Sequence, residues 1–248
     1  MSKRSFIYLF FLALFVCCKK ENAFDCFKSN GKEISDVRNP GNFRCIDVYD
    51  KIEVEVFEGN SFRVEVTAGE NIIKNITTTI QNDTLKIQNK NTCNFVRGYK
   101  RNIKVNITMP YLKEAISNGV ANLTIVNGFM QDSVKVRAEG SGDIFLSGSY
   151  SFINAYSNGN GDITVNGSAN ELLVHLQGTN FFNAQELIVK DKIFIENYSL
   201  GDSYLNAENL KKLEYIIFDK GNIYYTGIPS EISGILDKKS QGKLIKQD

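Results

Sequence analysis

Six Asp and Asn side chains recur through the second half of the chain at nearly constant spacing. Successive members are separated by 21, 19, 18, 22 and 20 residues, and four of the six directly follow a glycine. The series consists of Asn122, Asp143, Asp162, Asn180, Asp202 and Asn222. Carboxylates stacked in this way could bind calcium or serve as acid and base on a polysaccharide. Because amides occupy half of the positions, the pattern favours a mainly structural ladder of turn residues.

The remaining candidates for catalysis are few. His175 is the only histidine, and it alternates with Val174 and Leu176, which predicts an outward, solvent-exposed position on a strand. No CxxC spacing accompanies it, whereas a zinc site needs several such ligands together. The sequence therefore predicts no catalytic residue, no metal site and no cofactor, with calcium on the Asp and Asn ladder as the alternative.

Aromatic side chains are the other candidates for a binding face. A flat β-surface that displays aromatic rings can stack against sugars or anchor a protein partner. The alternative is that most of these rings fill the core or stack at corners. The candidates are Tyr150, Phe152, Tyr156, Phe181, Phe182, Tyr198, Tyr204, Tyr224 and Tyr225. Neighbours in a strand point to opposite faces, so at most one of the last two lies inside.

The elements that must position these residues are short strands. Apolar residues alternate with polar ones, for example at Ile163 and Val165, and this period of two indicates β-strands. A repeat of about 20 residues built from strands indicates stacked coils, because one unit cannot bury its own apolar face. The expected fold is therefore an all-β solenoid, similar to a parallel β-helix. Its recurring corner would use glycine for positive φ and Asn or Asp for turn hydrogen bonds.

The first half of the chain is patterned differently. KIEVEVFEG and SFRVEVTAG alternate apolar and charged residues on either side of Gly59 and Asn60, which predicts a hairpin. Because an open solenoid end exposes unpaired backbone groups, residues 43–110 are expected to form an N-terminal β cap and the first strands. Residues 111–235 would hold the repeats. Pro229 and a polar tail over residues 236–248 would then terminate the stack.

The N-terminus is typical of a bacterial lipoprotein signal. Lys3 and Arg4 precede an apolar run of eleven residues, which is too short to cross a bilayer as a helix. Two cysteines follow, and Cys18 is the predicted lipidation site, with Cys17 as the alternative. Residues 1–17 would be the signal peptide and residues 18–42 a tether. A plain secretory signal with two incidental cysteines is the other interpretation.

The charge of the chain excludes some classes of partner. There are 29 basic and 28 acidic side chains, and signal removal takes away only Lys3 and Arg4 among them. A nearly neutral chain lacks the positive field that nucleic acid or an anionic membrane surface would attract. Attachment to the membrane is therefore expected through a covalent lipid, and nucleic-acid binding is not expected.

The chain resembles the head GIN domains of autotransporter-adhesin type, which occur in secreted and lipid-anchored proteins of Bacteroidetes-like bacteria. The resemblance covers roughly residues 43–235. Its carriers are the recurring Gly-Asp-Ile, the start FRCIDVYDKIEVEVFEG, the closing GNIYYTGIP, and the pair DCFKSNGK and CNFVRGYK. It implies a right-handed β-solenoid on the cell envelope with no established enzymatic mechanism. In a lipoprotein subgroup the last two elements look paired, which implies a disulfide between Cys26 and Cys93, with Cys45 as a competitor.

Together these features predict an adhesin-like binding module that does not catalyse. It would be an outer-membrane lipoprotein, periplasmic or surface-exposed, and its partner would be an envelope protein or a glycan. The alternative is a carbohydrate-binding or polysaccharide-active β-helix protein that uses one exposed solenoid face. Strands at an uncapped end could also pair with another copy to form a homo-oligomer.

Overall fold

The chain folds into stacked coils of β-strand, as the repeat predicts. This computed structural model describes residues 29–92, 103–126 and 128–248. In that part of the chain the only helix is one 3-10 turn, Ile73–Asn75. The prediction of an all-β solenoid with coils of about 20 residues is confirmed. The strands are β1 Glu33–Arg38, β2 Cys45–Val48, β3 Ile52–Glu58, β4 Arg63–Gly69, β5 Ile76–Gln81, β6 Thr84–Asn89, β7 Ile103–Met109, β8 Glu114–Ser117, β9 Leu123–Ile125, β10 Met130–Ala138, β11 Ile144–Gly159, β12 Ile163–Gly178, β13 Phe182–Ala184, β14 Leu187–Ser199, β15 Ser203–Asn206, β16 Lys212–Ile217, β17 Ile223–Thr226, β18 Glu231–Leu236 and β19 Leu244–Lys246.

Each coil of the repeat region contributes strands to two sheets, which we call the front and back sheets. The front sheet stacks β8, β10, the later parts of β11 and β12, β14, β16 and β18 in parallel. The back sheet stacks β9, the starts of β11 and β12, β13, β15, β17 and β19. The 16-residue strands β11 and β12 bend from the back sheet to the front sheet, and they pair with each other on both sides of that bend.

The core lies between the two sheets. β11 and β12 pair residue for residue, with Ile144 opposite Ile163 and Ala155 opposite Val174. All four of these side chains are fully buried. Alternation turns one side of every strand inward, and stacking then builds continuous apolar columns. Burial of each large aliphatic side chain contributes about 1.5–3 kcal/mol, and it is achieved only in the stack.

The N-terminal strands do not stack in chain order. The coil formed by β2 and β3 lies between the coil of β6 and β7 and the coil of β8 and β9. β4 pairs antiparallel with β1 and β7, and β5 pairs antiparallel with β6. The predicted hairpin across Gly59 and Asn60 is therefore wrong, because β7 lies between β3 and β4. The local pattern identified both strands, but distant residues that extend the core columns decide their partners.

Both predicted ends of the solenoid shift. β1 lies inside the segment 18–42 that was expected to be a tether, and it pairs with β4. β19 lies inside the expected tail, residues 236–248, and pairs with β17. Pro229 is buried rather than at an edge, and the next residue, Ser230, donates its N–H to the Leu210 carbonyl at 2.9 Å. The stack therefore continues for one coil beyond the predicted terminator.

The lipidation and disulfide predictions fall outside the described residues. The structure does not describe the four cysteines concerned, which are Cys17, Cys18, Cys26 and Cys93. Cys45, at the start of β2, is half-buried and has no disulfide bond. Burial raises the pKa of its thiol. In the part of the chain that the structure describes, no helix has the length and apolar character needed to cross a bilayer.

Candidate functional site

The bend that carries the Asp and Asn series is built by close backbone contact between coils. We call it the Gly-Asx corner; it leads from the front sheet to the next back-sheet strand, as residues 160–162 lead from β11 to β12. A Cβ on Gly161 would lie 2.3 Å from the carbonyl oxygen of Gly142, and one on Gly142 would lie 2.1 Å from that of Ala121. Neither glycine has a positive φ. Glycine is required here because stacked backbones touch, and not for its φ angle as the sequence suggested.

Side chains of the series form hydrogen bonds from coil to coil. Asp143 Oδ1 accepts a hydrogen bond from the Asp162 backbone N–H at 3.0 Å, and Asp162 Oδ1 accepts one from the Phe181 N–H at 2.7 Å. Asp202 Oδ1 accepts the N–H of Asn222 at 2.8 Å. Each bond uses one side-chain oxygen, which an amide supplies as well as a carboxylate. This geometry supports a structural role for the ladder.

The strand register assigns Phe181, rather than Asn180, to the ladder position. Ile163 pairs with Phe182, so the residue opposite Asp162 is Phe181. Asn180 lies one residue earlier, in the column of corner glycines, and its side chain is fully buried. Its Nδ2 donates to the Gln177 carbonyl of its own coil at 2.7 Å and to the Gly159 carbonyl of the preceding coil at 3.0 Å. Alignment by spacing alone could not separate these neighbouring columns.

The ladder carboxylates are not arranged as a metal site. No group of three or more His, Cys, Asp or Glu side chains converges within residues 29–92, 103–126 and 128–248. Burial raises the pKa of Asp162; the Phe181 N–H opposes this shift, and the charge of Asp143 adds to it. Asn122, at the start of the series, is exposed, and its backbone carbonyl accepts the Val54 N–H at 3.1 Å. The Gly-Asx corner therefore offers mainly side-chain oxygens that already accept hydrogen bonds from backbone N–H groups.

His175 is part of a column of stacked rings on the outer face of the front sheet. Tyr156 and His175 stack with centroids 5.1 Å apart, and Tyr198 stacks on Phe218 at 4.1 Å. His175 Nδ1 lies 3.0 Å from Glu196 Oε2, and 30% of the His175 side chain is exposed. The predicted solvent-exposed histidine is thus half-buried between neighbours. Because these rings cover one another's faces, they present edges to solvent and offer little area for stacking on a sugar.

The other aromatic candidates divide between core and surface. Tyr150 and Phe182 are buried, and Tyr225 packs against the core while Tyr224 points outward. Tyr204 and Tyr224 stack on each other at 5.2 Å on the outer face of the back sheet. Phe152 is half-buried, and Phe181 is exposed. Most of the nine rings therefore contribute to packing or to ring stacks, as the structural interpretation predicted.

A third side of the coil connects the back sheet to the front sheet within β10, β11, β12 and β14. Here the pairing skips one residue in each of β10, β11 and β12 and two residues in β14. Gln131 pairs with Tyr150 and Ser133 with Phe152, but no pair joins Asp132 to Ser151. The same gap falls at Asn170, where the register of β12 against β14 also shifts. The backbone bends at this row and turns Asp132, Ser151, Asn170 and Lys190 outward, where all four are exposed.

This bend forms a shallow groove of about 620 Å³, which we call the corner groove. Tyr150, Ala169 and Val189 form its buried floor, and Met130 and Ile188 are exposed apolar side chains within it. The full lining is Met130, Gln131, Asp132, Ser149, Tyr150, Ser151, Ser168, Ala169, Asn170, Ile188, Val189, Lys190 and Asn209. The groove crosses several coils, so an extended ligand could contact each of them.

Some polar side chains of the corner groove are hydrogen-bonded within the fold, and others are not. Ser149 and Ser168 bond to each other through their hydroxyls at 2.8 Å, and the Gln131 amide bonds the backbone of Leu112. No side-chain hydrogen bond or ion pair with another described residue engages Asp132 or Asn170. These free groups are suited to recognising a ligand, because they need not give up an internal partner. The groove combines apolar contact with hydrogen bonding, a mixture that is typical of ligand-binding surfaces.

Sequence reasoning did not find the corner groove. Gly-Ser recurs at residues 148–149 and 167–168, but the exposed row Asp132, Ser151, Asn170 and Lys190 has no common residue type. Its members look like ordinary solvated positions. The signal that could have identified it is a break in strand alternation, since buried residues of β11 fall at even positions up to Tyr150 and at odd positions from Ile153 onward. A second groove of about 710 Å³, lined in part by Phe62, Tyr111 and Lys113, lies toward the N-terminal strands.

Comparison with known families identifies the sequence. Residues 42–229 match the family model described as "Putative auto-transporter adhesin, head GIN domain". No curated protein matches the chain. The match spans the Gly-Asx corners and the corner groove, and it stops before β18.

Solved structures share the fold. A putative adhesin from Bacteroides fragilis aligns with a TM-score of 0.78 and 23% identity, over 87% of this chain and 97% of that one. A putative adhesin from Parabacteroides distasonis aligns at 0.64 and 20%, over 88% and 98%. A structure named as a putative lipid binding protein, also from Parabacteroides distasonis, aligns at 0.63 and 19%, over 89% and 98%. At these identities the likeness concerns the fold alone.

Proposed function

The chain belongs to the head GIN domain family of putative auto-transporter adhesins, and from this premise we propose that it is a non-catalytic binding module of the bacterial cell envelope. One observation carries the proposal: the corner groove is a concave surface whose exposed polar row is not committed to internal bonds. By contrast, the oxygen atoms of the Gly-Asx ladder and the ring faces of the aromatic column are used within the fold. The corner groove is therefore the recognition surface in this proposal.

We propose that a lipid on Cys18, with Cys17 as the alternative, holds the module at the membrane. The support is the sequence of the N-terminal segment and the envelope location that an adhesin family implies. Fourteen residues separate Cys18 from Glu33 at the start of β1, and a fully extended segment of that length reaches at most about 50 Å. A disulfide between Cys26 and Cys93 would tie this tether to the segment of sequence between β6 and β7.

Metabolic labelling with an alkyne fatty acid tests the anchor. The full-length chain should incorporate the label, Cys18→Ser should abolish incorporation, and Cys17→Ser should retain it. Label that disappears only in Cys17→Ser would move the anchor by one residue, and an unlabelled wild-type chain would refute lipidation. Peptide mapping without reduction checks the disulfide, and a Cys45-containing cross-linked peptide would contradict the proposed pair.

Site-specific photo-crosslinking tests the binding role of the groove. A photoreactive residue at Asn170 should give a discrete adduct in intact cells, whereas the same residue at the exposed Val120 should not. The adduct should disappear when Ile188→Asp is added, because a charge replaces apolar contact within the groove. Equal adducts at Asn170 and Val120 would show that the groove has no special role.

A carbohydrate ligand is the second candidate, and the lining of the groove favours it. Hydroxyl and amide side chains stand beside Met130 and Ile188, a mixture suited to the polar and apolar faces of a sugar. A glycan array probed with residues 22–248 should then show saturable binding that Ile188→Asp removes and Asp143→Asn with Asp162→Asn preserves. Binding lost only in the Asp pair would transfer the site to the ladder. An array without signal would leave an envelope protein as the ligand.

A further inference from the structure

The last coil leaves both sheets open. Within the described chain, β18 ends the front sheet and pairs only with β16, and β19 ends the back sheet and pairs only with β17. All six residues of β18 are exposed. The outer edges of these two strands therefore present backbone donors and acceptors to a partner.

Apolar side chains lie between the two open edges. Ile232 and Leu236 occupy the inward positions of β18, opposite Leu213 and Ile217 of the preceding coil. Leu213 and Ile217 are fully buried, whereas Ile232 is 42% and Leu236 is 51% exposed, since no described coil covers them. The outward Ile235 is also exposed. The columns of the core thus reach the surface at this end.

We propose that this end binds the same end of a second copy of the chain, forming a two-fold dimer of solenoids joined end to end. A single peptide strand could pair with one edge only. The end of a second copy presents two edges at the same separation, with apolar side chains between them. A two-fold axis reverses strand direction, so β18 pairs antiparallel with β18 and β19 with β19, in an isologous interface.

The charges along the two edges fit this reversed pairing. β18 begins with Glu231 and is followed by Asp237, Lys238 and Lys239, whereas β19 is preceded by Lys243, contains Lys246 and is followed by Asp248. Antiparallel pairing brings the negative start of each β18 near the end of its counterpart, whose net charge is positive, and it separates the Lys243 side chains of the two copies. Parallel pairing would instead place like charges together, which is destabilising.

The register follows from the apolar positions. With the axis at the middle of β18, Ile232 of each copy lies opposite Leu236 of the other. The contact forms twice, so all four of these side chains in the dimer are covered. One kind of like-charged contact results and forms twice, with Glu231 of each copy opposite Asp237 of the other. In each copy it is offset by Lys212, whose Nζ lies 3.2 Å from Glu231 Oε1.

Sedimentation velocity over a concentration series tests the dimer. Residues 22–248 contain every described strand, and this chain should show a concentration-dependent species of twice the monomer mass. The double variant Ile232→Lys with Leu236→Lys should remain monomeric, because it places four like charges in the interface. The matched control, Val120→Lys with Ile188→Lys, alters exposed apolar positions elsewhere and should still dimerise. A monomeric wild-type chain, or a dimer that persists in the double variant, would overturn the proposal.

Disulfide trapping tests the pairing independently of dimer strength. Ser233 and Ile235 point outward and face each other across the proposed axis, at a spacing that antiparallel pairs and disulfides share. The double variant Ser233→Cys with Ile235→Cys should therefore give a covalent dimer on mild oxidation, beyond any seen in the wild-type chain. Absence of that dimer would contradict the end-to-end arrangement.

Discussion

The Gly-Asx corner and the third side both turn the chain within each coil, but they treat polar side chains in opposite ways. At the Gly-Asx corner, Asp143 and Asp162 are bonded to the backbone of the next coil. At the third side, strand pairing skips Asp132 and Asn170, whose side chains reach solvent. The repeated sequence therefore marks the bend that holds the stack together. The bend whose exposed row has no common residue type is the one whose polar side chains are free to bind a ligand.

The greatest loss should follow from Gly161→Ala at the Gly-Asx corner. The new Cβ would lie 2.3 Å from the carbonyl oxygen of Gly142, and neither stacked backbone can move without disturbing its neighbours. We expect the free energy of unfolding in urea to fall by about 3 kcal/mol. Gly59→Ala is the control, because its nearest contact is the side chain of Thr108, which can rotate. Equal losses in both variants would contradict close stacking as the reason for the corner glycines.

A smaller loss should follow from Asp143→Ala. The substitution leaves the Asp162 N–H without its acceptor, and we expect a loss of about 1 kcal/mol. Asp143→Asn keeps a side-chain oxygen and should change unfolding by less than about 0.5 kcal/mol. If Asp143→Asn lowers the free energy of unfolding as much as Asp143→Ala does, the charge of Asp143 matters rather than its side-chain oxygen. A cation site at the ladder would then have to be reconsidered.

The effect of Asp162→Asn on the free energy of unfolding should be smaller than that of Asp143→Ala, and it should depend on pH. Burial raises the pKa of Asp162 above its ordinary 3.8, so the folded state holds this proton more tightly than the unfolded state. The contribution of Asp162 to stability is therefore present below 3.8 and is lost as pH rises through the folded-state pKa. The variant should be most favoured over the wild-type chain at neutral pH, and the difference should shrink on acidification. Parallel stability curves for the two proteins would refute the shift.

The smallest effect on stability is expected at the third side. Ile188 is 62% exposed, so Ile188→Ser should alter unfolding by less than about 0.5 kcal/mol. Its effect should instead appear in the groove crosslinking assay as a weaker adduct. A loss of stability comparable to that of Gly161→Ala would mean that the third side is also structural.

Much of the repeat architecture could be predicted from the sequence, because each coil imposes the same local demands. The alternation around Ile163 and Val165 and the spacing of the Gly-Asx elements were sufficient for the strands and the coil length. The sequence was not sufficient to predict why glycine occupies the Gly-Asx corners. Close approach between coils is a long-range property, and a single sequence displays only the residue type.

Pairing and the candidate site were harder to predict. The hairpin expected at Gly59 failed because β7 inserts between two strands that are adjacent in sequence. Asn180 was assigned to the wrong column because a one-residue shift is invisible to spacing. The corner groove depends on a register gap at Asp132, Ser151 and Asn170, and such a gap appears only when neighbouring strands are aligned in space.

The position of the β2–β3 coil between two later coils determines how the molecule can assemble during synthesis. Both of its neighbours, β6–β7 and β8–β9, are made after it. During synthesis from the N-terminus, the first coils therefore cannot stack in chain order. Both edges of β2 and of β3 stay unpaired until the later strands have been made. Pairing over such sequence distances slows folding. The later coils can then stack in chain order, but the first three coils are complete only after β9 has been synthesised.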